Sequence, residues 1–174
     1  NTYSSLVVTI WSKIMYYWVK VGLPIMYNIC SNDIMLIDTN RSENMNIIIV
    51  GCGRVGQALA VQLNEEGNNI TIIDVDADRV RDITERYDIM GVVGNGATHT
   101  VQQEAGIDSA DLMIAVTGSD ELNLLCCLIA KKAGDCQTIA RIENPIYSAE
   151  APYLKDERGL AMVINPDYAA AQEI

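Results

Sequence analysis

The 174-residue sequence predicts an α/β fold, a doubly wound parallel sheet of six strands with helices on both faces. Two patterns support this. From Met45 onwards short apolar segments alternate with amphipathic ones, and the first, residues 47–50, has no polar face, which is typical of a strand buried on both sides. This segment runs directly into Gly-x-Gly-x-x-Gly at residues 51–56, and an apolar-periodic segment follows at once. Strand, tight turn and helix in this order predict a Rossmann-like sheet with strand order 3-2-1-4-5-6.

The remaining elements follow the same alternation. Val55, Leu59 and Leu63 predict a first helix after the glycine turn. Further strands are predicted at residues 70–74, 89–93, 111–116, 138–142 and 161–164. Further helices are predicted at residues 77–87, 98–105, 121–133 and 147–157, and a last one begins at Pro166. The carboxyl ends of the strands then share one edge of the sheet, where a ligand site is expected.

Two helices carry recognisable end signals. Thr98 is a predicted N-cap and Gly106 a predicted stop for the helix at residues 98–105. Either Ser119 or Asp120 caps the long helix that follows. The buried stripe of that long helix is predicted to consist of Leu124, Leu125, Leu128 and Ile129.

The three glycines of the turn have separate predicted roles. Gly51 permits the sharp turn off the strand, Gly53 lets the backbone approach a pyrophosphate, and Gly56 lets the helix pack closely on the sheet. Asp74 ends the second strand eighteen residues after Gly56, where this fold places the acid that accepts the hydroxyls of an adenosine ribose. The combination predicts nucleotide binding. The alternative is a glycine turn that binds nothing, with Asp74 as a polar strand end.

Charge, cysteine and histidine content exclude several functions. Residues 1–44 hold three of the twelve basic and three of the 23 acidic residues, so residues 45–174 carry nine basic against twenty acidic groups and repel nucleic acid. The five cysteines have no metal-ligand spacing and indicate a reducing cytoplasm. Cys126 and Cys127 are expected in the core, and Cys52 fills space near the ligand. His99 is the single histidine, so no multi-histidine metal centre is expected.

Residues 1–44 differ from the rest of the chain. The run 6–27 is apolar and aromatic-rich, but Lys13 and Lys20 interrupt it. A membrane segment, an interaction arm and a segment foreign to the domain are the three interpretations. We favour the third, in which translation naturally starts at Met45 and residues 1–44 are an upstream extension of a nucleotide-binding domain at 45–174.

Five stretches together resemble one family, the RCK or KTN type of regulatory domain (TrkA-N) found at the N-terminus of Trk-system potassium uptake proteins. They read IIIVGCGRVGQALA, ITIIDVDADRV, VVGNGAT, ADLMIAVTGSDELNLL and ARIENPIY. The resemblance implies a cytoplasmic subunit, peripheral at the inner face of the cell membrane, that binds NAD(H) or alternatively ATP or ADP. It also implies a homodimer or larger ring that gates a membrane potassium channel subunit of the TrkH or KtrB kind.

The resemblance also implies roles for individual residues. Gly51, Gly53 and Gly56 would hold the phosphates with Arg54 as a further contact, and Cys52 and Val55 belong to the same cofactor-binding turn. Asp74 beside Val75 would bind the ribose, and Asn95 and Ala97 would border the adenine. Thr117, Gly118 and Arg141 would line the pocket. The family often has Asp where this chain has Asn95. Two alternatives stay open: Arg54 as a solvated helix-start residue, and Arg141 paired with Glu143 or another surface acid.

Two other functions compete with regulation. An NAD-dependent oxidoreductase domain would need a catalytic acid or base, for which His99 at a helix start is a poor candidate. A dimerisation module that has lost its ligand is disfavoured by the intact glycine turn and by Asp74. The sequence therefore favours a regulator without catalytic residues.

Overall fold

A computed structural model of the chain describes residues 44–134, 136–147 and 162–164, all within one compact unit, Asn44–Ile164. The predictions for residues 1–43, for most of the helix at 147–157 and for the helix from Pro166 lie outside these residues. Residues 145–147 are helical, so the helix predicted from residue 147 begins two residues earlier.

Five parallel strands form the described sheet: β1 (Asn46–Val50), β2 (Asn69–Asp74), β3 (Met90–Val93), β4 (Leu112–Ala115) and β5 (Gln137–Arg141). Their order is β3-β2-β1-β4-β5, as predicted. Ile49 in β1 lies opposite Ile72 of β2 on one side and Ile114 of β4 on the other. The backbone of Met162–Ile164 pairs in parallel with residues 139–141 of β5.

Four helices connect these strands: α1 (Arg54–Glu65), α2 (Ala77–Arg86), α3 (His99–Glu104) and α4 (Asp120–Ala133). A 3-10 turn, Ile107–Ser109, lies between α3 and β4. Right-handed crossovers place α1 and α2 on one face of the sheet and α3 and α4 on the other.

Alternate strand residues pack on the two faces. Ile48 and Val50 of β1 belong to one buried cluster with Cys126 and Cys127 of α4. Ile47 and Ile49 are equally buried and point to the other face by the two-residue strand period. That face carries α2, because a side chain at Gly91 of β3 would meet Val80 and Thr84. The predicted burial of the sheet on both faces is confirmed.

The predicted buried stripe of α4 is wrong. Leu125 is 46% exposed, and Leu124, Leu128 and Ile129 are only half-buried. The buried face instead carries smaller or polar residues: Asn123, Cys126, Cys127 and Ala130. Asn123 makes hydrogen bonds to the ends of both β4 and β5, which fixes the rotation of the helix, and the small residues behind it let α4 approach the sheet closely. The predicted core position of Cys126 and Cys127 is confirmed.

The helix caps are confirmed in part. Ser119 caps α4, because its side chain accepts a hydrogen bond from the Leu122 N–H at 3.2 Å. Thr98 occupies the N-cap position of α3, but its hydroxyl donates to the Asn95 carbonyl instead of accepting from the helix. Gly106 follows α3 with φ +85°, the left-handed backbone expected of a helix stop.

Candidate nucleotide-binding site

The carboxyl ends of the strands bring the predicted site residues to one edge of the sheet. Beyond the strand ends, hydrogen bonds continue between neighbouring backbone segments. The Gly51 N–H donates to the Ile73 carbonyl at 2.8 Å, and the Val116 N–H donates to the Val50 carbonyl at 2.8 Å. The turn that begins at Gly51 is therefore held between the ends of β2 and β4.

Glycines 51 and 56 are required by the shape of this turn. Gly51 has φ +106°, and a Cβ there would lie 3.0 Å from the Thr117 backbone nitrogen. A Cβ on Gly56 would lie 1.7 Å from the Gly51 carbonyl oxygen, so α1 starts in direct backbone contact with the turn. These contacts agree with the predicted roles in turning and in helix packing.

Gly53 has a different environment, because no atom of the described residues lies within 4 Å of a Cβ placed on it. It is the N-cap of α1, no side chain caps the helix, and the first helical hydrogen bond runs from the Gln57 N–H to the Gly53 carbonyl at 2.9 Å. An uncapped helix N-terminus facing open space is a site for anions, because free N–H groups and the helix dipole favour negative charge.

Arg54 and Val55 follow in the first turn of α1. The Arg54 side chain is exposed, and in the described part of the chain it makes no ion pair or hydrogen bond. Val55 is half-buried. The helix N-terminus thus carries an unpaired cation, and this arrangement is compatible both with phosphate binding and with the solvated alternative.

Asp74 links the glycine turn to the turn after β2. Its Oδ2 accepts the Cys52 N–H at 2.5 Å, and its Oδ1 accepts the Asp76 N–H at 2.9 Å. Each oxygen keeps a second lone pair, so the half-buried carboxylate can also accept ribose hydroxyls. Val75 is 72% exposed beside it, an apolar surface next to the expected ribose position.

Cys52 is fully buried inside the turn. Its carbonyl accepts a hydrogen bond from Gln57 Nε2 at 3.0 Å, and its thiol lies 3.5 Å from the Arg79 carbonyl. Burial raises the pKa of the Cys52 thiol, so the residue is a neutral thiol near pH 7. The predicted space-filling role fits this environment, and a thiolate nucleophile does not.

The loop after β3 lies against the end of β1. A side chain at Gly96 would lie 2.4 Å from Val50 Cγ1, so the loop packs directly on that strand. Asn95 is exposed, and its Oδ1 accepts the Ala97 N–H at 3.0 Å within the loop. Asn95 Oδ1 keeps a second lone pair, so the amide offers a ligand both this acceptor and its Nδ2 donor, while Ala97 beside it is half-buried.

Asn123 is the site residue that the sequence analysis missed. It is fully buried on α4, and its Oδ1 accepts both the N–H and the hydroxyl of Thr117 at 2.8 and 2.7 Å. Its Nδ2 donates to the Arg141 carbonyl at 2.8 Å, so one amide holds the ends of β4 and β5 together. Gly118, next to Thr117, is exposed with open space around it. The available signal was a single Asn in the otherwise apolar run 122–130.

Arg141 ends β5 at the same edge. Its guanidinium forms the ion pair with Glu143 that the sequence analysis gives as an alternative contact. The Arg141 side chain is only 19% exposed, and its Nε is buried without a hydrogen-bond partner. The following backbone is fixed by the Asp120 carboxylate, which accepts the Glu143 N–H at 3.0 Å and the Asn144 N–H at 2.7 Å.

A cavity of about 630 Å³ lies at the opposite edge of the sheet and contains none of the predicted site residues. Two of its polar side chains are already paired: Asn69 Nδ2 donates to Asn46 Oδ1, and Asn46 Nδ2 donates to the Ser109 carbonyl. Free N–H groups and an unpaired cation occur instead at the glycine turn. We therefore place the candidate site at the carboxyl edge.

Within residues 44–134 and 136–147, no group of three or more His, Cys, Asp or Glu side chains is arranged to hold a metal ion. None of the helices in this same part of the chain is long and apolar enough to cross a membrane.

A parallel sheet in this order, with a glycine turn, an uncapped helix and a strand-end aspartate at one edge, defines a Rossmann-like nucleotide-binding domain. The model of one family, described as the TrkA-N domain, matches residues 47–166, and the chain belongs to this family.

Named relatives agree with the family. The chain is 37% identical over 132 residues to the Trk system potassium uptake protein TrkA of Halomonas elongata, covering 75% of this chain and 29% of the relative. It is 40% identical over 130 residues to a TrkA homolog of Archaeoglobus fulgidus, covering 74% of this chain and 29% of that relative. The chain thus spans less than a third of the length of these curated relatives.

Solved structures share the fold. The TrkA-N domain of the inner membrane protein ybaL from Escherichia coli is 25% identical with a TM-score of 0.65, covering 75% of this chain and 94% of that one. The GsuK channel bound to NAD is 18% identical with a TM-score of 0.59, covering 91% and 27%, and GsuK bound to ADP has the same identity and score, covering 92% and 39%. At 18% identity the GsuK structures show the fold alone.

Proposed function

We propose that residues 45–174 form a nucleotide-sensing regulatory domain of a potassium uptake system. The domain binds NAD(H), or alternatively ATP or ADP, and gates a membrane potassium channel subunit of the TrkH or KtrB kind. The observation that carries the proposal is the uncapped start of α1, where Gly53 leaves open space beside Asp74. The family and the names of the Trk relatives support the link to potassium uptake.

In this proposal the ligand lies along the carboxyl edge of the sheet. Its phosphates contact the first turn of α1, with Arg54 as the counter-charge. The ribose hydroxyls donate to the free lone pairs of Asp74, and Val75 offers an apolar contact beside them. Asn95 Nδ2 and Ala97 border the adenine. Residues 117 and 118 and Arg141 close the other side of the pocket.

The proposed ligand is NAD(H) or an adenine nucleotide because both contain the chemical groups that the site contacts. Both contain an adenosine ribose and a phosphate chain, and neither Asp74 nor the helix N-terminus contacts the nicotinamide. The GsuK channel, which shares this fold, was solved bound to NAD and bound to ADP. These structures support both candidates equally.

Regulation is proposed in place of the oxidoreductase alternative. His99, the sequence's single histidine, is exposed at the start of α3, and Cys52 is a buried neutral thiol. The Trk relatives are named as potassium uptake proteins and not as oxidoreductases. The ligand then shifts the equilibrium between two conformations of the domain by binding one of them more tightly. The size of that shift is limited to the difference in ligand affinity between the two conformations.

The remaining parts of the proposal concern assembly and location. We propose that Met162–Ile164 belongs to a sixth strand that completes the sheet beside β5. The domain works as a homodimer or larger ring, and the exposed Leu125 on α4 is an apolar surface suited to such contact. The acidic domain lies in the cytoplasm at the inner face of the membrane and does not bind nucleic acid.

Gly53→Ala tests the proposal. The added methyl group meets no protein atom and the backbone there has φ −75°, so the fold is retained, but the methyl group occupies the space where the phosphates approach. Calorimetry with NADH, NAD, ATP and ADP on the full chain should show binding to the wild type. The affinity of the variant should be lower by about tenfold or more, and a tenfold loss corresponds to about 1.4 kcal/mol of binding free energy. Wild-type affinity in a folded Gly53→Ala protein would place the phosphates elsewhere. No hydride transfer from alcohols or hydroxy acids to NAD is expected in the same preparation.

A further inference from the structure

We infer that Glu143 is an internal competitor of the nucleotide for Arg141, and that it lowers the affinity of the site most for ligands with the most phosphate charge. This inference rests on the proposed nucleotide function. It concerns a carboxylate to which the sequence analysis assigned no ligand role.

The two members of the ion pair differ in solvent exposure. The Arg141 side chain is 19% exposed and the Glu143 side chain 48%. Arg141 is further fixed through its carbonyl, which accepts from Asn123, the residue that also holds Thr117 at the pocket. Glu143 is therefore the member with solvent to move into, and Arg141 keeps its place at the site.

The pair leaves the guanidinium incompletely satisfied. Arg141 Nε is buried and has no hydrogen-bond partner, although an arginine carries five N–H donors. An unpaired buried donor is unfavourable, so the pairing with Glu143 is not the best available arrangement for this side chain. A phosphate with three acceptor oxygens offers additional acceptors when it replaces or joins the carboxylate.

The Glu143 side chain can leave without rearranging the loop. The backbone N–H groups of Glu143 and Asn144 are both held by the Asp120 carboxylate at the start of α4. Because these bonds involve only the backbone of Glu143, its carboxylate can rotate into water while the loop stays in place. A phosphate that reaches Arg141 displaces this carboxylate, and binding then loses the free energy of the Arg141–Glu143 ion pair.

The experiment compares Glu143→Gln with a control of equal charge change, Glu121→Gln. Glu121 lies at the same end of the sheet, but its carboxylate accepts from Ser119 and from the Tyr147 hydroxyl and, among the described residues, pairs with no arginine. Dissociation constants of ATP, ADP and AMP are measured by calorimetry on the full chain at low and at physiological salt. We expect Glu143→Gln to tighten ATP binding about five- to tenfold, ADP less and AMP least, with a smaller gain at higher salt.

A second pair of variants separates a specific effect from a general one. In an Arg141→Ala background, Glu143→Gln should no longer change the affinity for ATP, because the competitor has lost its target. Glu143→Ala, which also removes the charge, should act like Glu143→Gln, and thermal unfolding reports whether each variant is folded.

Three results overturn the inference while the nucleotide function stands: equal gains in Glu143→Gln and Glu121→Gln, a gain that persists in the Arg141→Ala background, or no gain when wild type binds nucleotide. A wild-type protein that binds none of the tested nucleotides overturns the proposed function itself.

Discussion

The two sides of the candidate site are built by different means. On the β1 side, the turn takes its shape from the backbone: Gly51 has a positive φ, and Gly56 has no room for a side chain. On the β4 and β5 side, the loops are held by one buried side chain, Asn123, which bonds to Thr117 six residues earlier and to Arg141 eighteen residues later. One side depends on missing side chains and the other on a side chain that is present.

This difference explains why one side is recognisable in the sequence and the other is not. A positive φ or a contact that excludes Cβ selects glycine almost uniquely, so the requirement is visible as glycine spacing. The partners of a buried amide are set by tertiary contacts. Any position along the apolar part of a helix can carry the amide, so no spacing in the sequence marks it. The predictions below test this contrast, from the largest expected effect to the smallest.

Gly56→Ala should cause the largest change. Its Cβ would lie 1.7 Å from the Gly51 carbonyl oxygen, a backbone atom that cannot move without opening the turn. We expect the free energy of unfolding to fall by about 3 kcal/mol or more, measured by urea denaturation. Gly53→Ala, three residues earlier, is the matched control and should unfold like the wild type. Similar stability of the two variants would contradict the distinction between the glycines.

Asn123→Ala should come next. The variant leaves the part-buried Thr117 N–H and Arg141 carbonyl without their partner, which we expect to cost about 2–3 kcal/mol of unfolding free energy. Cys126→Ala on the same buried face removes no side-chain bond to these loops and should cost about 1 kcal/mol. Weaker nucleotide binding is expected for Asn123→Ala alone. Equal losses in the two variants would show that Asn123 acts only by filling space.

Asp74→Ala should weaken NADH binding by about 1.5–3 kcal/mol in calorimetry, because a charged hydrogen-bond acceptor to the ribose is lost. The fold should lose less, since water can take over the N–H groups of Cys52 and Asp76. The same carboxylate should make the wild type bind NADPH more weakly than NADH through repulsion of the 2′-phosphate. Asp74→Asn should narrow that difference. Tighter binding of NADPH by the wild type would rule out the assigned role.

The smallest effect concerns alkaline pH. Burial raises the pKa of Cys126 on α4 to about 12, well above that of an unfolded thiol. The stabilisation associated with the neutral thiol is therefore complete below the unfolded pKa and decreases as pH rises towards 12, with a slope of at most about 1.4 kcal/mol per pH unit. Urea denaturation between pH 8 and pH 10.5 should show a shallower decline for Cys126→Ala. An identical decline in both proteins would contradict the assignment.

Much of the described fold was predictable. The five strands begin and end within two residues of their predicted positions, because uniformly apolar segments between turns have few other conformations in a two-sided sheet. The face of α4 was not predictable from its leucines. Leu125 belongs to the most apolar stripe and is 46% exposed, because the hydrogen bonds of Asn123 set the rotation of the helix.

The same division applies to the site. The amino-acid sequence by itself determined the glycine turn, the uncapped start of α1 and Asp74 at the end of β2, because these follow from local backbone conformation and from spacing along the chain. Only the tertiary structure decided that Asn123 joins Thr117 to Arg141 and that Arg141 pairs with Glu143 while its Nε stays unpaired. These contacts depend on how α4 packs against β4 and β5, and the free energy of a buried hydrogen bond depends on partners that packing alone brings within reach.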